Sequence, residues 1–466
     1  MSIASAITAA QGRVAAAYTS CNTMGATMPA PSDQDLSHLP ATIESIPSGG
    51  GGCGENYEDD VIFIDYDGTV LHRYTKAEFL ALSAMPDNPT QTGLTAQGWN
   101  WDLADAQTYV TECGALVIGQ MYITDDNCHR IHITLDDPAN LSPTFYFTNG
   151  STIDWGDGTT PQTASGNVQH TYAATGDYVI SSTGVATAGP PVLENTTANR
   201  STYANIIKGV NVGLTNGQIQ TYSYQYCSAL KFITLPDNIT SFQSGATFHC
   251  CSALKAVVLP KSITTTGNYF IQWCPALEVI SLNKTASLGT IPFQQCSSLV
   301  RLHIPPGTTT IPANGCNPCT HLRLVTSASA TTAVGNGAFQ NCLTLTDIRL
   351  TASTASFGDY SLSQIMSGFS YTFPASTTTI AQRTLQGSLI TELTIGANVT
   401  SIGNYAFFSC PWLQTVHVKA ATPPSAGSGI FQGDSSLTKI YVPTGKLATY
   451  QGAAGWSTYA SLMEEE

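Results

Sequence analysis

Cys227-Ser-Ala-Leu230-Lys-Phe-Ile233-Thr-Leu235-Pro236 is followed one phrase later by Cys251-Ser-Ala-Leu254-Lys-Ala-Val257-Val-Leu259-Pro260. The phrase continues as Cys274-Pro-Ala-Leu277, Cys296-Ser-Ser-Leu299, Cys319-Thr-His-Leu322, Cys342-Leu-Thr-Leu345 and Cys410-Pro-Trp-Leu413. Ile365, Gly387 and Asp434 take the cysteine place in the degenerate copies between and after them. The place advances by about 23 residues each time, a period that marks the stretch 217–443 as a solenoid. In each phrase a Leu is followed at the fourth and sixth positions by two further apolar residues. Those two share one face of a short strand, so the stacked strands predict a parallel ladder with coils about 4.8 Å apart and a rod about 45 Å long.

Most of the thirteen cysteines fall on this period. A residue type that recurs at one solenoid position is expected to be a small buried filler, a role that suits a free thiol. The alternative is a limited set of disulfides involving the off-register Cys250 or Cys316, or joining Cys113 to Cys128. The odd total leaves at least one thiol unpaired within the chain.

Charge restricts the partners. The chain carries 31 acidic and 17 basic residues, a net charge of −14 with a pI near 4.9. Such a surface repels phosphate backbones, which argues against nucleic acid. No apolar run is long enough to span a bilayer, so membrane insertion is not expected. With 10% charged residues, the polarity comes mainly from Ser, Thr, Gly, Asn and Gln.

Upstream of the repeat the sequence divides into unlike pieces. Ile3, Ile7, Ala10, Val14 and Ala17 recur at helical spacing, and a proline-punctuated segment follows. Residues 1–47 therefore predict a docking or oligomerisation helix with an extended tail, and 48–55 a Gly-rich hinge. Residues 56–140 predict a small α+β unit. There Val61-Ile-Phe-Ile64 and Thr69-Val-Leu71 form a hairpin, and Thr75-Lys-Ala-Glu78 is a capping box. A helix over about 102–113 ends at Gly114, and a second hairpin joins 117–124 to 130–135 across Asp125-Asp126-Asn127. A β-sandwich is expected over 141–195, the solenoid over 196–445 and a C-terminal capping helix with a solvated end over 446–466.

Two constellations could be mistaken for chemistry. Phe63-Ile-Asp65-Tyr-Asp67-Gly68-Thr69-Val70 is similar to the nucleophile motif of haloacid dehalogenase-type phosphatases. That family requires a Rossmann-like domain after the motif, and a hairpin with Lys76 directly beyond it does not supply one. Cys128, His129 and His132 lack the further ligands a metal site needs. The sequence contains no arrangement suited to catalysis, so no catalytic residue, metal ligand or cofactor is assigned and the protein is read as non-enzymatic.

Three resemblances add to this reading. Thr400-Ser-Ile402-Gly403-Asn-Tyr-Ala406-Phe407-Phe-Ser-Cys410-Pro-Trp-Leu413 and the copy at Val334–Leu350 resemble the BspA-type leucine-rich repeat. Asp154-Trp155-Gly156-Asp157-Gly158, His170-Thr171-Tyr172 and Gly176-Asp177-Tyr178-Val179 resemble a polycystic-kidney-disease (PKD) domain, a small β-sandwich, with Trp155 and Tyr172 as core aromatics. The N-terminal helix, the Leu39–Ile43 phrase and the Phe63–Val70 hairpin resemble N-terminal regions of phage and prophage tail or fibre proteins of gut bacteria.

The expected fold class is mainly β with short helices: a leucine-rich-repeat solenoid preceded by a small α+β unit and a PKD-like β-sandwich. The resemblances imply a virion protein, tail-associated or a head fibre, that contacts other virion proteins through its N-terminal region and forms a homo-oligomer. A bacterial cell-surface adhesin of the BspA type is the alternative. In either case the partner would be a host-surface protein or glycan. The outward strand column Thr234, Val258, Ser281, His303, Thr326, Arg349, Thr394, His417, Tyr441 would face it. His303, Arg349, His417 and Tyr441 are the candidate ligand-binding residues; otherwise the column is only a solvated β surface.

Overall fold

The structure, a computed structural model, describes residues 59–466 apart from 185–188, 195, 221, 244, 329 and 366–369, and apart from the side chains of 148 and 149. The helix, extended segment and hinge expected over 1–55 lie outside the described residues.

The first unit is a four-stranded sheet of β1 (Val61–Ile64), β2 (Val70–Tyr74), β3 (Leu94–Trp99) and β4 (Leu116–Thr124), with helices α1 (Lys76–Leu80) and α2 (Leu103–Cys113). Its strand order is β2-β1-β4-β3, with β1 antiparallel to β2 and parallel to β4. Thr75 and Glu78 form the expected capping box, and Gly114 ends α2 in the left-handed conformation at φ 84°. All four residues of β1 are fully buried because both faces of this sheet are covered. Val61, Phe63, Leu116 and Ile118 pack under the helices against Phe79, Tyr109 and Val110. Ile62, Ile64, Val117 and Met121 pack the opposite way, onto Ala256, Val258, Val279 and Val300 of the solenoid.

The hairpin expected between 117–124 and 130–135 does not form. Both edges of β4 are already bonded, to β1 and β3, so β5 (His129–Leu135) turns into another sheet. There it pairs antiparallel with β8 (Gly176–Ser182) on one side and β10 (Ile207–Asn211) on the other. β6 (Thr144–Asp154), β7 (Gln162–Gln169) and β9 (Val192–Leu193) complete the layer. β10 also pairs in parallel with Phe232–Thr234, the first strand of the ladder. One sheet thus runs from the middle of the chain into the solenoid and closes its first edge. Trp155 and Tyr172 are buried in its core, the Tyr172 hydroxyl donating to the Trp155 carbonyl at 3.1 Å. Asp157 holds the turn: its carboxylate accepts from the Thr159 amide at 3.0 Å and pairs with His170 at 2.7 Å.

Beyond β10 the coils supply strands of a main ladder and, in most of them, two-residue strands of a second one, with a single bridge between Thr265 and Ser287 where those strands are missing. Parallel registers such as His303↔Thr326, Thr326↔Arg349 and His417↔Tyr441 keep corresponding residues in file. Cys296, Leu299, Leu302 and Ile304 show how one coil fills the core, all four fully buried. The other edge of the ladder differs from expectation. α4 (Leu447–Gly452, after α3 at Thr197–Tyr203) and a 3-10 turn at Ser457–Leu462 lead into a final strand, Met463–Glu465, that pairs in parallel with Lys439–Val442. Glu464 therefore stands in the ladder paired with Lys439 instead of ending a solvated helix. Trp456 and Tyr450 seal the core beneath it.

Candidate functional site

Every cysteine among the described residues is a free thiol. From Cys251 onward the thiol in the repeat position donates to a carbonyl of the preceding coil: Cys251 to Tyr224 at 3.1 Å, Cys296 to Ile271 at 2.9 Å, Cys410 to Leu385 at 3.2 Å. Burial pushes the thiols of Cys251, Cys296, Cys319, Cys342 and Cys410 up, and that of Cys227 to about 12, so they are neutral fillers and not nucleophiles or ligands. Ser388, rather than Gly387, makes the same contact in its coil, its hydroxyl donating to the Leu362 carbonyl at 3.0 Å. A side-chain donor defines this position, and Gly387 supplies the left-handed residue just before it.

The carboxylates of the Asp65–Thr69 loop are occupied by the loop's own amides and by Gln91. Asp65 accepts from the Tyr66 amide at 2.8 Å and from Gln91 at 2.6 Å, and Asp67 accepts from the Thr69 amide at 2.9 Å. Among the described residues no group of three His, Cys, Asp or Glu side chains is placed to hold a metal ion.

The outward strand column is in register, yet most of it is not outward. Thr234, Val258, Ser281, His303 and Thr326 are all buried. The cover is the first unit: Asn100 Nδ2 donates to the Leu259 and Ser281 carbonyls, and the Trp101 indole donates to the Leu282 carbonyl at 2.7 Å. The Tyr109 hydroxyl reaches the Ile304 carbonyl at 3.0 Å. His303, expected to face a ligand, is 5% exposed and bonds through Nδ1 to the Thr326 hydroxyl at 2.8 Å. Burial holds its imidazole well below the ordinary histidine range, which makes it a neutral interface residue. A sheet with two apolar faces needs a second partner, and the ladder provides it.

The remaining candidates lie beyond this cover. Arg349 is exposed at the margin of the unit and forks onto Asp347, at 2.9 and 2.6 Å. The rings of His417 and Tyr441 stack at 5.0 Å, and His417 is flanked by Glu392 at 3.3 Å and Glu466 at 2.6 Å. Lys419 shares Glu466. These two residues clamp the final strand. His303, Arg349, His417 and Tyr441 thus do not converge on one site.

The aromatic surface lies elsewhere. Residues one and five places before the cysteine position are left-handed in coil after coil, including Tyr222 (φ 61°), Tyr226 (65°), Tyr269 (54°) and Trp273 (62°). The amides of the last three bond to the next coil, Tyr226 to the His249 carbonyl, Tyr269 to that of Thr290 and Trp273 to that of Gln294, each at 2.8 Å. That ladder enforces a conformation costing a non-glycine residue about 1–2 kcal/mol. Glycine serves the same positions at Gly337, Gly387, Gly429 and Gly433. The four rings are nonetheless 41–48% exposed. Arg200 braces the first pair from behind, donating to the carbonyls of Tyr222 and Gln225 at 2.7 and 2.6 Å. These residues lie on turns and not on the strand column, and in the sequence only the repeat register sets them in file.

Fold and surface together define a capped parallel β-solenoid of the leucine-rich-repeat class, with an aromatic turn edge. The BspA type leucine rich repeat region matches residues 217–346 and 332–453 in six copies, just over half of the chain, and the chain belongs to that family. Among solved structures it is similar to a leucine-rich repeat protein from Bacteroides ovatus: 17% identity over 56% of this chain and 94% of that one, TM-score 0.33. A leucine rich cell surface protein from Faecalibacterium prausnitzii gives 16%, 55%, 83% and 0.30. The pneumococcal vaccine antigen PcpA gives 16%, 56%, 73% and 0.33. No curated protein is a significant match.

Proposed function

We propose that the chain is a bacterial cell-surface adhesin of the BspA type, a non-enzymatic rod that presents its solenoid to a protein or glycan outside the cell. The observation that carries this reading is the set of four bulky aromatics held exposed in left-handed turns on a rigid edge. Exposed aromatic area on a preorganised scaffold favours recognition, because few degrees of freedom are lost on binding. The PKD-like and α+β units serve as supports at one end and along one face of the rod. The virion role draws on the N-terminal resemblance, most of which lies outside the described residues, and the repeat family favours the cell-surface role. Oligomerisation through residues 1–47 is compatible with either.

Two experiments test the proposal. Antibody to the solenoid is expected to label intact cells of the producing bacterium, and beads carrying the full chain are expected to adhere to epithelial cells or mucin above an albumin control. Unlabelled cells together with non-adherent beads would overturn it.

A further inference from the structure

We infer that the edge built by the first three coils is a binding site for a neutral polysaccharide, with Tyr222, Tyr226, Tyr269 and Trp273 as its stacking platforms. The inference deepens the adhesin reading and rests on it for its biological setting.

Three observations carry it. The rings come in pairs on alternate coils: Tyr222 and Tyr226 on the first, Tyr269 and Trp273 on the third. The coil between them has Ala246 and Cys250 where its neighbours have tyrosine or tryptophan, which leaves a low step between two aromatic ones. Two coils are roughly 10 Å apart along a parallel ladder, about the length of two linked pyranose rings. Sugar rings present apolar C–H faces that stack on aromatic faces, and alternate rings of a chain could meet alternate platforms.

The polar groups between the rings suit hydroxyls. Gln225 meets His249 at 3.1 Å, and Gln272 pairs with Gln294. With Gln295 beyond them these form a file of amides, each able to donate and accept. The His249 ring also packs edge-on to Tyr226 at 5.4 Å.

The third observation is the lack of charge. In an acidic chain, residues 222–226, 245–250, 269–273 and 291–295 contain no Asp, Glu, Lys or Arg. Arg200 behind the edge is buried and spent on the Tyr222 and Gln225 carbonyls, so these segments offer an anionic polymer no exposed cation. A protein partner is the less favoured occupant, since hot spots centre on one desolvated apolar cluster. Here a small-residue coil and amides separate the aromatic pairs.

The test is affinity electrophoresis of the full chain through gels containing neutral polysaccharides (mannan, β-glucan, xylan), with heparin as the charged control. Tyr226→Gly with Trp273→Gly is the informative variant, because glycine accepts the left-handed turn and the coil stays folded. At least one neutral polymer is expected to retard the chain, and the variant to lose about tenfold in affinity with a melting temperature no lower than the parent's. Exposed Tyr146→Ala, on β6, is expected to bind like the parent. Retardation by heparin alone, by no neutral polymer, or equally in the variant would overturn the proposal.

The bead assay separates this inference from the adhesin reading. Parent beads should lose adherence when target cells are treated with periodate. If the variant beads adhere as well as the parent, or if protease and not periodate abolishes adherence, the glycan site fails while the adhesin stands. If parent beads never adhere and cells are unlabelled, the adhesin reading fails even where the gels show retardation.

Discussion

Asn100 and Ser281, 181 positions apart in sequence, exchange two hydrogen bonds in a buried interface: Asn100 Nδ2 donates to the Ser281 carbonyl at 3.2 Å, and the Ser281 hydroxyl donates to Asn100 Oδ1 at 3.1 Å. The same amide side chain also accepts from the Gly119 N–H at 2.8 Å. One side chain thereby joins the strand ladder to the sheet that covers it. Asn100→Ala would leave several buried groups without partners, at a cost of about 3 kcal/mol. Urea denaturation is expected to show the loss, and limited proteolysis to release the first unit sooner than in the parent.

The final strand blunts the ladder edge by being short and acidic, with Glu464 on Lys439 and Glu466 on Lys419. Deleting residues 463–466 would expose Lys439–Val442 as an unpaired edge. Light scattering should then show concentration-dependent association that the parent lacks.

Asp434 occupies the cysteine position of its coil, accepting the Cys410 amide at 2.7 Å while Oδ2 has no partner. Burial pushes its carboxyl up to about 8, so at neutral pH it is largely the neutral acid, like the thiols and the serine hydroxyl in the other coils. An unfolded aspartate loses its proton near 3.8, so the folded chain binds the extra proton between these values. Its contribution is full below about pH 4 and is lost as pH rises towards 8, by at most about 1.4 kcal/mol per pH unit. Asp434→Asn keeps the acceptor and should flatten this dependence, raising the melting temperature at pH 8 more than at pH 5.

The repeat thiols are fully buried, whereas Cys128 and Cys250 are partly accessible. A maleimide added to the native chain should label Cys128 and Cys250 among residues 59–466, and reach Cys296 or Cys319 only in denaturant. Native labelling of Cys296 would contradict its place in the core.

The ladder, its register and the filling role of the cysteines were legible because a period of about 23 residues leaves one way to stack the chain. The burial of the strand face was not, since no local pattern in Thr234, Ser281 or His303 records what lies above them. One signal was present and underread. Val61-Ile-Phe-Ile64 is apolar at every position, as a strand covered on both faces must be, while a hairpin with a solvated face would alternate. The aromatic edge was hidden because left-handed tyrosine and tryptophan have no sequence signature apart from the register. Ser388 shows a similar limit: spacing pointed to Gly387, and the hydrogen bond decides for its neighbour.

Hydroxyl-radical footprinting of the native full chain, read by mass spectrometry, tests most directly whether the first unit occupies the strand face and leaves the turn edge open. Strong oxidation is expected at Tyr222, Tyr226, Tyr269 and Trp273, with Trp101, Tyr109 and His303 protected until the chain is unfolded. Oxidation of Trp101 and His303 in the native chain at the rate of Trp273 would contradict it.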